Sequence, residues 1–359
     1  MPPSRNNWLT NGLLLMGGLF TGLLFVEVLL LVLLSKPSLI AAKDGSPSRV
    51  LSTLRQYFKA RDRATVQFEP ECYRYDAEVT YTLKRQSSCT VVNREHTVEY
   101  RSNRQGLRDS DSALERPSIV VLGDSFAMGW GVAQSESFPK VLEQEVKLPV
   151  LNTAISSYGT AREFAMLARL QLPDFPVLVI QYCNNDFAEN KFLIEKGALK
   201  ITPEAKFRSL AARAVKRRRY YPFKHTIEIF KQMSASLRAP QSELDDNGDN
   251  RRDNDEARYF LEVLLRNQKL IQGKTVLVIE LTGKDLNDGA FIAALADGLK
   301  QPRYAALTQS VVPLDLSKVL TSADYYVLDD HLNRTGHAKV ARAIAAELIK
   351  RAALGERIH

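Results

Sequence analysis

The sequence predicts an α/β protein built on a parallel sheet, and three observations carry that prediction. From about residue 116 onward, apolar runs of strand length alternate with longer segments of helical periodicity, the pattern of parallel strands joined by helical crossovers. Between residues 65 and 115 the chain alternates polar and apolar side chains in short stretches, which reads as a few antiparallel strands exposed on one face. The chain also begins with an apolar segment long enough to cross a bilayer. Five strand candidates in the C-terminal part make the expected core a flavodoxin-like three-layer α/β/α sandwich. One transmembrane helix and a small β-rich segment precede it.

Residues 1–11 form a short tail, expected in the cytoplasm. The span is Gly12 to Leu34, GLLLMGGLFTGLLFVEVLLLVLL, with Glu27 as its one charge. As a helix it covers roughly 34 Å against a hydrocarbon core of about 30 Å. That is longer than the apolar part of a cleaved signal peptide, although Ser38-Leu39-Ile40-Ala41-Ala42 resembles a cleavage site. The flanking charges, Arg5 on one side and Lys36 and Lys43 on the other, are nearly balanced. The short tail and large C-terminal part point to a single-pass protein with its main domain in the periplasm or outside the cell. Glu27 is costly in lipid and reads either as a tolerated lone acid or as the contact for a membrane-protein partner.

Residues 35–64 read as a tether or short amphipathic helix. In the β-rich segment 65–115 the strand candidates are Glu78–Leu83, Thr90–Val92 and Thr97–Tyr100, closed by the turn Asn103–Arg108. Cys72 and Cys89 could pair if the domain is exported, while Cys183, at the end of an apolar run, reads as a free thiol. There is no CxxC, HExxH or Cys/His cluster, so neither metal nor other cofactor is expected.

The main domain, 116–355, has strand candidates Ile119–Leu122, Val150–Ile155, Val177–Tyr182, Thr275–Leu281 and Ser310–Leu316. Helices are predicted at Phe138–Val146, Ala161–Leu170, Ala257–Lys269, Ala290–Gly298 and Arg334–Ala353, the last with Asn333 as N-cap. An insertion at about 191–255 interrupts the pattern. It carries the basic, aromatic run Lys216–Lys224 and ends in an acidic, turn-rich stretch, Leu244–Asn250, expected to be a mobile loop. The basic run reads as a solvated helix face, or as a contact for nucleic acid, anionic lipid or an acidic polymer. Export of the domain argues against nucleic acid. The net charge of +8 speaks to association and solubility rather than to fold.

Chemistry gathers at the carboxyl ends of the predicted strands, where open α/β sheets bind ligands. The first strand stops at Gly123-Asp124-Ser125, which puts Ser125 where a nucleophile belongs. After the second strand, Gly159 allows close backbone approach. After the third comes Cys183-Asn184-Asn185-Asp186, where an Asn amide can donate to an oxyanion. Of the five histidines (His96, His225, His331, His337 and His359), His331 follows two acids, Asp329 and Asp330. In extended backbone, residues two apart share a side, so Asp329 is the preferred orienting acid, with Asp330 the alternative. His337 shares a helix face with Ala341, Ile344 and Leu348 and reads as a packed structural histidine.

These blocks, Gly123-Asp124-Ser125, Gly159 in its Asn152-led loop, Asn185-Asp186 and Asp329-Asp330-His331, resemble the SGNH (GDSL-type) hydrolase superfamily, over about Pro117 to Ala353. The resemblance implies a serine esterase with Ser125 as nucleophile and His331 as general base. It implies an oxyanion hole made by the Ser125 amide, the Gly159 amide and the Asn185 side chain. The turn Asn103–Arg108 and the N-terminal anchor look like membrane-anchored bacterial members. Two positions depart from the family pattern. Cys183 stands where the third block has glycine, and Leu328 where the last block, Asp-x-x-His, has its acid. The expected substrate is an O-acyl ester, with acetyl groups on an envelope glycan or lipid as candidates. An O-acyltransferase of the same fold acting on a surface polysaccharide, and a non-catalytic envelope scaffold or glycan-binding subunit, are the competing readings.

Overall fold

The structure is a computed structural model that describes residues 5–41, 49–236, 250–284 and 286–354. The chain forms two compact units that interleave along the sequence. The larger comprises residues 64–215, 246–326 and 330–359, the smaller residues 1–63, 216–245 and 327–329.

Two hairpins open the larger unit. β1 (Tyr73–Asp76) pairs antiparallel with β2 (Thr80–Leu83), and β3 (Ser88–Val92) with β4 (Thr97–Arg101). β1 was not legible in the sequence because three of its four side chains are only half-buried, which leaves no alternation to read. Cys72 and Cys89 are disulfide-bonded and Cys183 is free and buried.

The five-stranded sheet follows as predicted. β5 (Ile119–Leu122), β6 (Val150–Asn152), β7 (Val177–Tyr182), β8 (Thr275–Glu280) and β9 (Val311–Leu314) lie in the order β6-β5-β7-β8-β9, and every pairing is parallel. This is the doubly wound 2-1-3-4-5 order, whose switch point lies between the first and third strands. β5 and β7 are buried along their whole length, so they read as continuous apolar runs rather than alternating ones. β6 ends at Asn152, short of the predicted Ile155. Apolar clusters cover both faces of the sheet. One gathers Val120, Leu178 and Val276 with Phe164 and Phe260; the other gathers Val121, Val179 and Leu277 with Phe138 and Ile344.

Helices Phe138–Val146, Ala290–Gly298 and Arg334–Ala353 have the predicted bounds. Asn333 caps the last by accepting from the Thr335 and Gly336 amides. The helix predicted at Ala257–Lys269 instead runs Asn250–Arg266, with a short turn Gln268–Ile271 after it. Asn250 is therefore helical; the rest of the predicted acidic loop, 244–249, lies outside the described residues. The first part of the insertion is helical: Asp186–Lys196 runs into it and Glu204–Arg218 follows.

The smaller unit is organised on one long helix, Arg5–Ser35, apolar and long enough to cross a membrane. Two helices accompany it, Arg49–Tyr57 and Lys224–Ser236. Leu34, Leu51, Leu54, Tyr57, Phe58, Ile229 and Leu328 form its core. Lys224, almost fully buried, pairs with Asp62 at 2.8 Å and donates to the Arg218 carbonyl. Tyr57 Oη and His225 Nδ1 are hydrogen-bonded at 2.6 Å. Glu27 is buried, and its carboxylate accepts from the His225 and Thr226 amides, the Thr226 hydroxyl and the Tyr220 hydroxyl. Glu27, which read as a tolerated lone acid or as a contact for another membrane protein, has these hydrogen bonds within its own chain.

Candidate active site

Ser125 opens a short helical turn, Ser125–Met128, directly after β5. The connection is tight. A Cβ on Gly123 would lie 2.6 Å from both the Ala127 Cβ and the Gln181 Oε1, so only glycine fits. Asp124 caps the turn by accepting from the Phe126 amide at 2.9 Å. Burial raises the Asp124 pKa above the ordinary carboxylate value.

Ser125 Oγ and His331 Nε2 lie 2.7 Å apart, a hydrogen bond between residues more than 200 positions apart in sequence. Both are buried. The imidazole is held between aromatic rings, with the Phe126 and Trp130 centroids 4.7 and 5.3 Å from its own. Its loop is tied back twice: Tyr326 N donates to the His331 carbonyl at 3.0 Å, and Tyr326 Oη to the Gly131 carbonyl at 2.6 Å. On the other ring nitrogen, Nδ1 lies 3.8 Å from Asp330 Oδ1, beyond hydrogen-bond distance. Asp329, in the smaller unit, is ion-paired with Arg63 at 3.3 Å.

The two remaining loops meet beside the serine. Asn185 Nδ2 is 3.4 Å from Asp124 Oδ2, which brings the third block against the first. Gly159 caps helix Thr160–Leu170 and abuts helix Asp186–Lys196; a Cβ there would lie 3.0 Å from the Glu189 Cβ. The two helix starts are clamped together. Asp186 accepts from the Thr160 hydroxyl at 2.7 Å and from its amide, Asn190 from the Ala161 amide at 3.0 Å, and Glu189 from the Arg162 amide at 3.1 Å and its guanidinium. Burial raises the Glu189 pKa, while Arg162 and the Arg162 and Gly159 amides oppose the rise. The Gly159 backbone thus lies against the Glu189 side chain.

Sequence reasoning missed three supports of this arrangement. Gln181, fully buried on β7, accepts from the Asp124 and Ala127 amides at 3.1 and 3.2 Å. A polar residue inside an apolar run was the available signal. Arg108, also fully buried, donates to the carbonyls of Met128, Gly129 and Val132 and stacks on Tyr100 at 4.2 Å, fixing the loop after the serine. The third is the acidic clamp, whose signal was Asp186, Glu189 and Asn190 at helical spacing on one face.

Cys183, at the departure from the family glycine, is no competing nucleophile. Burial pushes its thiol well above the ordinary value, and the neutral thiol is inert. His337 is packed in the core, as read: it is buried, and its Nδ1 accepts from the Phe138 amide at 3.2 Å. The arrangement as a whole is a hydroxyl hydrogen-bonded to an imidazole, at the carboxyl edge of a parallel sheet, with amide donors close by. That is the equipment of nucleophilic acyl transfer.

Comparison with known proteins gives a likeness of fold. The chain is similar to TesA, at 14% identity and a TM-score of 0.37 over 64% of this chain and 97% of that one. It is similar to a lipolytic protein of the G-D-S-L family from Veillonella parvula DSM 2008, at 13% identity and a TM-score of 0.36 over 65% and 98%. It is also similar to the acetyl xylan esterase Est2A from the rumen bacterium Butyrivibrio proteoclasticus, at 11% identity and a TM-score of 0.35 over 68% and 66%. No protein-family model and no curated protein matches the chain.

Proposed function

We propose that the protein is a membrane-anchored serine esterase of SGNH type that cleaves an O-acyl ester. The observation that carries this reading is the 2.7 Å hydrogen bond between Ser125 Oγ and His331 Nε2. Ser125 Oγ attacks the ester carbonyl as its proton passes to His331 Nε2. The carbonyl oxygen becomes an oxyanion, held by the Ser125 amide, the Gly159 amide and the Asn185 side chain. Collapse breaks the ester C–O bond, and the proton on Nε2 goes to the leaving alcohol. Water, deprotonated by His331, then attacks the acyl-enzyme and releases the acid. The orienting acid comes from Asp329-Asp330, with Asp329 the preferred residue and Asp330 the alternative.

The Cys72–Cys89 disulfide supports an oxidising compartment, hence a cytoplasmic N-terminus with the larger unit in the periplasm or outside the cell. Substrates in reach of such an anchor are O-acylated envelope glycans and lipids. The test is labelling of the folded, detergent-solubilised chain by a fluorophosphonate, with turnover of a simple acetyl ester measured alongside. Labelling at Ser125, with labelling and turnover both lost in Ser125→Ala, is the expected result. A folded wild-type chain that does not label, or a Ser125→Ala variant with full turnover, would overturn the assignment. Tracing the acyl group with and without a glycan acceptor separates hydrolysis from transfer.

A further inference from the structure

The long helix Arg5–Ser35 changes surroundings partway along its length. The large apolar side chains from Trp8 to Val26 are exposed, Trp8 at 80% and Val26 at 40%. Glu27 is only 2% exposed and Leu34 reaches 0% inside the smaller unit's core, while Val28, Leu29 and Val32 between them stay exposed at 50%, 45% and 43%, so from Glu27 onward one face of the helix is covered and the other is not. Trp8 to Val26 covers about 28 Å at about 1.5 Å per residue, close to the hydrocarbon thickness of about 30 Å. The exposed apolar face runs on past Glu27 to Val32, so the helix leaves the hydrocarbon in the turns from Glu27 to Val32, with Trp8 at the opposite interface.

Residues of the insertion meet the helix at that boundary. Tyr220 Oη and the amides of His225 and Thr226 bond to Glu27. The Phe223 ring packs edge-on against Phe20 with centroids 5.7 Å apart, and Phe20 lies about 10 Å below Glu27 along the helix. Helix Lys224–Ser236 starts there with two faces. Lys224, His225 and Ile229 are buried within the unit, while Ile227, Phe230 and Met233 are exposed at 39%, 70% and 52%. Their spacing places them in one stripe. Tyr220 and Tyr221 are exposed beside them, and Lys216, Arg217 and Arg219 are exposed just before.

We propose that the segment 216–233 is a second membrane contact, a monotopic one, seated on anionic phospholipid in the leaflet that the N-terminal helix leaves. This rests on the reading that the N-terminal helix spans a membrane. Ile227, Phe230 and Met233 enter the acyl boundary, Tyr220 and Tyr221 sit at headgroup level, and the basic run meets lipid phosphates. Three arguments favour lipid over a partner protein. The stripe continues directly from the lipid-exposed part of the span. Its polar flank carries the charge that complements anionic headgroups. Its aromatic residues match the composition of membrane interfaces.

The experiment places a nitrobenzoxadiazole fluorophore on the full chain at Phe230→Cys, with parallel probes at Leu15→Cys on the span and Lys300→Cys on the surface of the larger unit. Each is reconstituted in nanodiscs of phosphatidylcholine alone or with phosphatidylglycerol, with and without lipids brominated near the top of the acyl chain. The expected result is loss of most Phe230-probe emission with brominated lipid, protection from aqueous iodide, and no lipid quenching of the Lys300 probe. Lys216→Gln/Arg217→Gln/Arg219→Gln should abolish any gain in Phe230 quenching that phosphatidylglycerol brings. A Leu15 probe quenched by deep-brominated lipid beside a Phe230 probe open to iodide would overturn the proposal while leaving the anchor intact. A Leu15 probe unaffected by lipid would overturn the anchor reading and this inference with it. Phe230 protection that scales with protein copies per disc, not with lipid, would assign the stripe to a second copy and refute the lipid contact.

Discussion

Gln181→Leu should destabilise the larger unit and misplace Ser125. The side chain is fully buried, and its Oε1 is the acceptor for the Asp124 and Ala127 amides, on either side of the serine. Its Nε2 donates to the Tyr182 and Leu281 carbonyls, at 3.1 and 3.4 Å, and so stitches β7 to β8 at their carboxyl ends. Leucine has similar size and branching but offers no acceptor. Two buried amides lose their partner at about 1–3 kcal/mol each, which gives a loss of roughly 2–6 kcal/mol. The kinetic effect follows from position. Ser125 lies between the two freed amides, and a shift of about 1 Å between its Oγ and the His331 ring can cost about 100-fold in rate. Gln181→Glu serves as the rescue: protonated in this buried place, it keeps both acceptor bonds and loses one donor, so most of the stability should return. The assays are denaturant unfolding in detergent micelles and the rate of fluorophosphonate labelling, corrected for folded fraction. A leucine variant within about 1 kcal/mol of wild type, with unchanged labelling rate, would refute the role assigned to Gln181.

Two groups give the stability opposite pH slopes. Burial pushes His337 down to about 3, against about 6.5 in the unfolded chain. Only the unfolded state takes up this proton between those values, so the contribution is present above about pH 6.5 and is lost as pH falls toward 3, by up to about 5 kcal/mol. His337→Gln should flatten that acid limb in urea titrations across the same range. Burial, then the nearby Asp288 and Glu256, push Glu280 up to about 8, against about 4.3 unfolded. Here the folded state holds the extra proton, so stability falls as pH rises through that window. Glu280→Gln should raise the melting temperature at pH 8 and change it little at pH 5. Cys72→Ser/Cys89→Ser opens a loop of sequence separation 17 and should cost about 3 kcal/mol, a loss that dithiothreitol reproduces in the wild type but not in the variant.

The sheet was legible because its strands are buried on both faces. Ile119–Leu122 and Val177–Tyr182 are unbroken apolar runs, or nearly so, bounded by turn residues, and their ends coincide with those predicted. The parallel pairing of the sheet followed from alternation with helices. The insertion was not legible for a related reason. Helix Lys224–Ser236 has one face that packs on residues from distant parts of the chain, Tyr57 and Asp62 among them, and a second apolar face left exposed. Two stripes with basic residues between them blur into a weakly patterned segment. Glu27 looked anomalous for the same reason: its hydrogen-bond donors lie almost 200 residues further on.

The acid beside the base shows where periodicity fails as a guide. The preference for Asp329 over Asp330 assumed extended backbone, in which residues two apart share a side. The structure has no such strand there. Tyr325 and Leu332 form an isolated antiparallel bridge, Tyr326 N donates to the His331 carbonyl, and the residues between bend through a closed loop. In a bend, spacing no longer fixes direction, so the two aspartates must be separated by their surroundings. Asp329 is buried against the Arg63 guanidinium, and Asp330 is partly exposed with an oxygen 3.8 Å from His331 Nδ1. An arginine beside a carboxylate opposes its stabilisation of an imidazolium, yet holds it more rigidly. Charge therefore favours Asp330 and rigidity favours Asp329, and the two readings diverge in the Arg63→Gln variant. If Asp329 orients the imidazole, losing Arg63 unfixes its carboxylate and lowers kcat. If Asp330 does, kcat holds and the cost falls on the stability of the smaller unit.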